Sequence, residues 1–233
     1  MDYFNQKYSM RFRYEDELPA WLPKSGLVYY DDFSRRRGRA MTGQAYTEKS
    51  GASDALSYTT VGGRRCLYKE GPDNSLSFAL PGGAMTDYTW GCWVYDALGT
   101  CTNQQVFDLW NEGSSEKCYL TYFNSYGRFG VGHWSYTEDK SLSSASSNVQ
   151  RQAGDWKFIY GWHGSEWFGV RMPPVEDGEN IGAARDERII PVRGTLLQNP
   201  QCYGVAIRCA FMYTRVITEA EGMQIYNGSK DMP

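Results

Sequence analysis

The apolar residues of this chain fall repeatedly at every second position, the spacing that lines one face of a β-strand. In DYTWGCWVYDA, Tyr88, Trp90, Cys92 and Val94 share one side. In GVAIRCAFMY, Val205, Ile207, Cys209, Phe211 and Tyr213 share one face, with Ala206, Arg208, Ala210 and Met212 on the other. Further strands are predicted at residues 27–30, in CLYKE and SLSFALP around a Gly-Pro-Asp-Asn turn, and in QQVFDLWNEG, KCYLTYFN and GRFGVGHWSY. DWKFIYGW and EWFGVRM read as a hairpin turning at His163-Gly164-Ser165, and RIIPVRGTLL as another strand. Residues 47–63, the Ser-rich 137–151 and the stretch PPVEDGENIGAARDE read as loops. About a dozen short strands without a long helix predict an all-β fold, a two-sheet antiparallel jelly-roll sandwich.

The end of the chain breaks this period. Thr218 is placed as a helix N-cap, and Glu221 three residues on completes a capping box. Glu219 and Glu221 also suit the positive end of a helix dipole. Ala220 and Met223 are expected to face inward beside Tyr226, with Asn227-Gly228 as a left-handed stop. One short C-terminal helix is thus expected to close the sandwich edge.

The beginning differs too. Residues 1–24 mix Tyr3, Phe4, Tyr8, Phe12, Tyr14 and Trp21 with charges, and Pro19 and Pro23 close the segment. It reads as an N-terminal arm, packed on its own domain or laid across a partner. The domain proper is expected over 25–228, with 229–233 as a tail.

Composition narrows the classes. The chain has 233 residues, enough for one large domain with a real core, and a net charge of -3. That charge gives no case for nucleic acid or an anionic membrane surface. No run approaches the roughly 18 apolar residues of a membrane helix, and the N-terminus has no apolar signal region. Six scattered cysteines form no CxxC pair or Cys/His cluster, so free buried thiols are expected. Cys92 and Cys101 are the pair to consider if a disulfide forms instead. Arg35, Arg36, Arg37 and Arg39 suit a solvated loop, or a grip on phosphate or an acidic partner.

Residues 25–228 resemble the laminin-G-like domains of the concanavalin-A-like lectin/glucanase superfamily. Four stretches carry the resemblance: SGLVYYDDF as an opening strand, SLSFALP with DYTWGCWVY as early core strands, GDWKFIYGWHGSEWFGV as a Trp-led hairpin, and the closing strand and capped helix. One departure is Arg171-Met172-Pro173-Pro174, where the family hairpin often ends in Asp-Gly.

The superfamily holds glycosidases and binding modules. Retaining glycosidases need two carboxylates roughly 5–5.5 Å apart, which the enzyme branch sets on one strand in a spacing like E-x-D-x-x-E. No strand here reads so: Glu15 and Glu17 lie in the arm, Glu112, Glu116, Glu176, Asp177 and Glu179 in loops, and Glu219 and Glu221 at the helix start. Only His133 and His163 could serve as bases, and His163 is expected near a hairpin tip. No catalytic residue is therefore assigned, and the chain is expected not to be an enzyme.

Sugar binding is the stronger site reading, because aromatic rings stack on pyranose faces while polar neighbours read the hydroxyls. Trp110, Trp134, Trp162 and Trp167 lie near strand ends, beside Asn111, Arg128 and Glu138. The competing reading is that these rings fill the core, as large aromatics do. Calcium would be allowed by the loop carboxylates but nothing specifies a site, so no cofactor or metal is assigned.

The resulting expectation is a non-enzymatic structural or surface component of a larger assembly, a phage virion, decorating its shell or adhering to host glycans. Its arm would contact other virion proteins or a second copy. It would be assembled in the host cytoplasm, and otherwise be a soluble cytoplasmic protein. The alternatives are a free lectin-like carbohydrate-binding protein and a divergent glycoside hydrolase.

Overall fold

The computed structural model describes residues 18–35, 38–49, 56–72, 74–81, 83, 85–98, 105–111, 113, 116–121, 128–135, 140–150, 153–165, 167–174, 180–183, 191–198 and 203–232. For 49, 116–121, 134–135, 140–150 and 180–183 it describes the backbone alone. The strands in chain order are β1 (Leu27–Asp32), β2 (Tyr46–Lys49), β3 (Leu56–Val61), β4 (Arg64–Lys69), β5 (Ser75–Ala79), β6 (Tyr88–Asp96), β7 (Gln105–Asn111) and β8 (Glu116–Thr121). They continue with β9 (Arg128–Ser135), β10 (Lys140–Gln150), β11 (Lys157–His163), β12 (Trp167–Arg171), β13 (Asn180–Ala183), β14 (Pro191–Leu196) and β15 (Val205–Tyr213). One helix, α1 (Glu219–Ser229), follows.

All described pairings are antiparallel, and the strands form two sheets. The eight-stranded sheet runs β13-β12-β11-β6-β15-β4-β3, with β1 alongside β15; the seven-stranded sheet runs β10-β9-β8-β7-β14-β5-β2. The expected two-sheet β-sandwich with a C-terminal helix is the observed architecture. Four strands fall in stretches read as loops: β2, β3, β10 and β13. These are the four sheet ends. An end strand gets its hydrogen-bond ladder from one neighbour and need not bury a face, so it needs no apolar alternation. β10 has this character, with the sequence KSLSSASSNVQ held along β9.

Between the sheets, Tyr29, Phe78, Trp90, Phe107 and Leu109 form the centre of the main core. Tyr29 stacks on Phe78 at 3.9 Å between ring centroids, and the Trp90 indole N–H donates to the Phe107 carbonyl at 3.1 Å, tying one sheet to the other. Tyr88, Trp90, Cys92 and Val94 all enter this core, as their alternation predicts. β15 departs from its predicted alternation. A register shift between Ile207 and Ala210 turns the strand over. Val205, Ile207, Ala210 and Met212 therefore face the main core, while Cys209, Phe211 and Tyr213 face outward. Arg208 sits in the bulge, fully buried, and pairs with the Asp32 carboxylate.

Those outward residues meet α1. Trp93, Phe158, Tyr160, Phe211, Tyr213, Ile217 and Ile225 make a second core on the outer face of the eight-stranded sheet. Thr218 caps the helix and Glu221 completes the capping box, as predicted. The rest of the helix differs from its prediction. It has 11 residues, buries Gly222, Ile225 and Ser229 rather than Ala220 and Met223, and runs through Gly228 instead of stopping there. Both glycines are needed for close approach. A Cβ at Gly222 would lie 2.6 Å from the Tyr160 hydroxyl, and one at Gly228 2.3 Å from the Trp21 ring.

Trp21, in the arm read as packed on its own domain or laid across a partner, packs on α1, and Gln224 donates to its carbonyl at 2.7 Å. Leu22 is buried beside it, and the Tyr213 hydroxyl donates to the Pro23 carbonyl at 2.9 Å. Tyr3, Phe4, Tyr8, Phe12 and Tyr14 lie outside the described residues. Cys66, Cys92 and Cys209 are free and buried, as expected. Burial pushes the Cys66 and Cys209 thiols up to about 11 and about 12, so neither is a ready nucleophile. No described helix is long and apolar enough to cross a membrane.

Candidate functional site

The six residues expected to bind sugar divide between the two sheets. Trp110 and Asn111 lie on β7, Arg128 and Trp134 on β9, Trp162 on β11 and Trp167 on β12. They do not form one site.

On β7, Phe107 and Leu109 enter the main core, so Trp110 faces the opposite side of the seven-stranded sheet. It is only 7% exposed. The Arg193 guanidinium from β14 lies 4.8 Å from its ring, and its indole N–H donates to Gln198 Oε1 at 3.0 Å. With one ring face covered and its polar edge satisfied, Trp110 offers no open stacking surface. Register places Lys117 opposite Trp110 and Trp134 opposite Lys117, so Trp134 stands two strands along the same row; its side chain, like Glu138, lies outside the described residues. Asn111 and Arg128 are partly buried at strand ends, opposite Pro191 and Gln150.

The other pair is arranged differently. On β12, Phe168 and Val170 enter the core, which turns Trp167, Gly169 and Arg171 to the outer face of the eight-stranded sheet. On β11 the same logic turns Trp162 outward beside Tyr160. Trp162 stands opposite Gly169, so the β12 position facing it carries no side chain. Trp167 and Arg171 flank that gap. Trp167 is 55% exposed, the most exposed large hydrophobic side chain among the described residues. The Arg171 guanidinium lies 5.7 Å from the Trp162 ring and 3.4 Å from Glu219, the first residue of α1. At the β11–β12 turn, a Cβ at Gly164 would meet Val216 at 3.4 Å and the Asp87 carboxylate at 3.8 Å. The hairpin face thus carries Trp162 and Trp167, with Arg171 and Glu219 paired beside Trp162 and with Val216 and Asp87 beside the turn at Gly164.

Asp87 and Val216 are missing from the sequence reading, and neither Arg171 nor Glu219 is read there as part of a site. Arg171 had drawn notice only as a departure from a turn pattern, and Glu219 only as a helix-start residue. The loop pairing of Val216 and Asp87 with the hairpin has no local sequence signal.

Neither histidine lies at this surface. His163 closes β11, buried rather than at a hairpin tip; it stacks flat on Tyr88 at 5.2 Å, with Nδ1 2.8 Å from the Thr86 carbonyl. His133 is buried as well. Asp108 is fully buried two residues from Trp110 on β7. Among the described residues no group of three or more His, Cys, Asp or Glu side chains is placed to hold a metal.

No family model and no curated protein sequence matches this chain. Solved structures do. Domain 4 of AbnA, an extracellular GH43 arabinanase from Geobacillus stearothermophilus in complex with arabinotriose, superposes with a TM-score of 0.64 at 13% identity, covering 89% of this chain and 100% of that one. The binding domain of botulinum neurotoxin DC in complex with SialylT gives 0.63 at 7% identity, over 87% of this chain and 51% of that one. Trypanosoma rangeli sialidase in complex with sialic acid gives 0.61 at 10% identity, over 98% of this chain. The likeness is one of fold. This chain spans 39% of the length of that sialidase.

These neighbours correct one expectation. The absence of an E-x-D-x-x-E spacing on any strand leads the sequence to be read as non-enzymatic. The same sandwich is found within a sialidase chain and as a domain of an arabinanase, so that one missing pattern does not exclude the glycosidases.

Proposed function

We propose that this chain is a carbohydrate-binding β-sandwich of the laminin-G-like kind, which takes a sugar ring onto Trp167. The observation that carries this reading is the exposure of Trp167 beside Trp162, on a sheet face where every other described large aromatic is buried or half-buried. A pyranose presents C–H groups on its flat face and hydroxyls at its edge. The indole plane takes the first, and the charged groups of this face, Asp87 beside the turn and the Arg171–Glu219 pair beside Trp162, are offered to the second. The capped helix and the order of the core strands support the laminin-G-like assignment. The names of the fold neighbours, solved with arabinotriose, SialylT and sialic acid, point the same way. They lend no support to a place on a virion.

The test is a glycan array followed by calorimetric titration of the hits, on the intact chain and on Trp167→Ala. Binding that weakens at least about ten-fold in the variant, a loss of roughly 1.4 kcal/mol, is the expected result. Equal affinity of the two proteins would overturn the assignment of the site.

A further inference from the structure

Glu219 and Arg171 stand in a relation that sets which sugars the platform accepts, an inference that rests on the glycan reading above. Arg171 leaves β12 beneath α1 and comes to rest with its guanidinium over Trp162 and 3.4 Å from the Glu219 carboxylate. Its side chain is 18% exposed, while that of Glu219 is 73% exposed. The cation beside the platform is thus inset and already faces an anion that stands at the surface. Asp87, at the β11–β12 turn, adds a second exposed carboxylate. Of these three charged groups the two carboxylates are exposed and the guanidinium is inset.

We propose that Glu219 is a specificity-determining residue: by pairing with Arg171 it biases the Trp167 platform toward neutral glycans and against carboxylate-bearing ones. The physical basis is simple. An Arg guanidinium prefers a carboxylate as its partner and binds it through two parallel hydrogen bonds. Glu219 holds that place in the unliganded chain, so an acidic sugar must displace it and then lie beside it, and like charges in contact oppose binding. A neutral sugar needs no displacement and can use both carboxylates as hydroxyl acceptors. Glu219 is suited to the role because it can change without unfolding α1. The capping box belongs to Thr218 and Glu221, and Glu219 makes no described contact with the second core.

The experiment compares the intact chain, Glu219→Gln, and Glu219→Gln combined with Arg171→Gln. The probes are a neutral oligosaccharide identified on the array and its sialic-acid-terminated counterpart, titrated at low and high salt, with thermal melts to confirm folding. The native chain should prefer the neutral probe. Glu219→Gln should raise the ratio of acidic-probe to neutral-probe affinity about five-fold, the most an exposed ion pair commonly contributes. Adding Arg171→Gln should remove that gain, and high salt should shrink it. Binding through Trp167 with no change in Glu219→Gln, or a native preference for the acidic probe, would overturn the inference and leave the glycan reading standing. Absence of binding to either probe, or binding indifferent to Trp167→Ala, would remove both.

Discussion

Phe158 and Tyr160 on β11 and Trp162 and Trp167 on the β11–β12 hairpin share the outer face of the eight-stranded sheet. The first two are buried, the third is half-buried and the last is mostly exposed. The difference between them is α1. Tyr226 lies over Phe158 and Trp93, Gly222 touches Tyr160, and the helix begins at Glu219, beside Arg171 and Trp162. Past that point no described element covers the face. One row of aromatics thus serves as core where a helix lies on it and as a surface platform where the helix has ended. What an aromatic does here is decided by the reach of a neighbouring element, not by its own strand.

The largest effect should come from the covered end. Ile225 is fully buried in the second core, and Ile225→Ala should cost about 3 kcal/mol through lost transfer energy and the cavity left behind. Chemical denaturation would show this as a lower midpoint. A change below about 1 kcal/mol would mean that α1 packs more loosely than described.

A smaller effect should come from the hinge between the two ends. Glu221 accepts from both Arg215 Nη atoms, at 2.7 and 2.5 Å, and from the Thr218 backbone at 2.9 Å. The Arg215 pairing, against the upward push of partial burial, holds the Glu221 carboxyl down at about 2, below the ordinary carboxylate range. A carboxylate with a depressed folded value stabilises the fold at pH above its unfolded value. That contribution is lost as pH falls from about 4.3 toward the folded value. Glu221→Gln should therefore cost about 1 kcal/mol at neutral pH through the lost Arg215 pair, since Gln can still complete the capping box. The gap between variant and native should narrow in melts taken between pH 5 and pH 2 on the order of that window. A gap that is constant across it would assign the loss to shape rather than charge.

The smallest stability effect should come from the uncovered end. Trp167→Ala should move the denaturation midpoint by less than about 0.5 kcal/mol, since an exposed ring contributes little packing. A cost comparable to that of Ile225→Ala would show Trp167 to be a core residue and erase the contrast between the ends.

The interior of the fold was legible in the sequence because interior strands bury at least one face. β6 shows this most clearly, with Tyr88, Trp90, Cys92 and Val94 all entering the main core. The end strands β10 and β13 left no such trace, being paired to one sheet neighbour, while β2 and β3 send only Tyr46, Leu56 and Tyr58 toward the core from otherwise polar runs. In β15 the alternation was real but misled across the bulge, where one shift reverses which residues face the core. Part of the candidate site was legible as a set of tryptophans. Separating Trp110 from Trp167 was not, because both follow the same alternation and the difference lies in Arg193 covering one and α1 ending short of the other. Glu219 had a sufficient local explanation in the helix start, which hid its contact with Arg171.

The central claim, that sugar stacks at the uncovered end of the sheet, is tested most directly by the indole N–H resonances of the eight tryptophans in a glycan titration followed by NMR. The account predicts that the Trp167 signal shifts most and Trp162 next, with Trp93 and Trp110, whose N–H groups are held by Ser229 and Gln198, staying in place. Shifts centred on Trp110 with Trp167 unmoved would put the sugar on the seven-stranded sheet and contradict it.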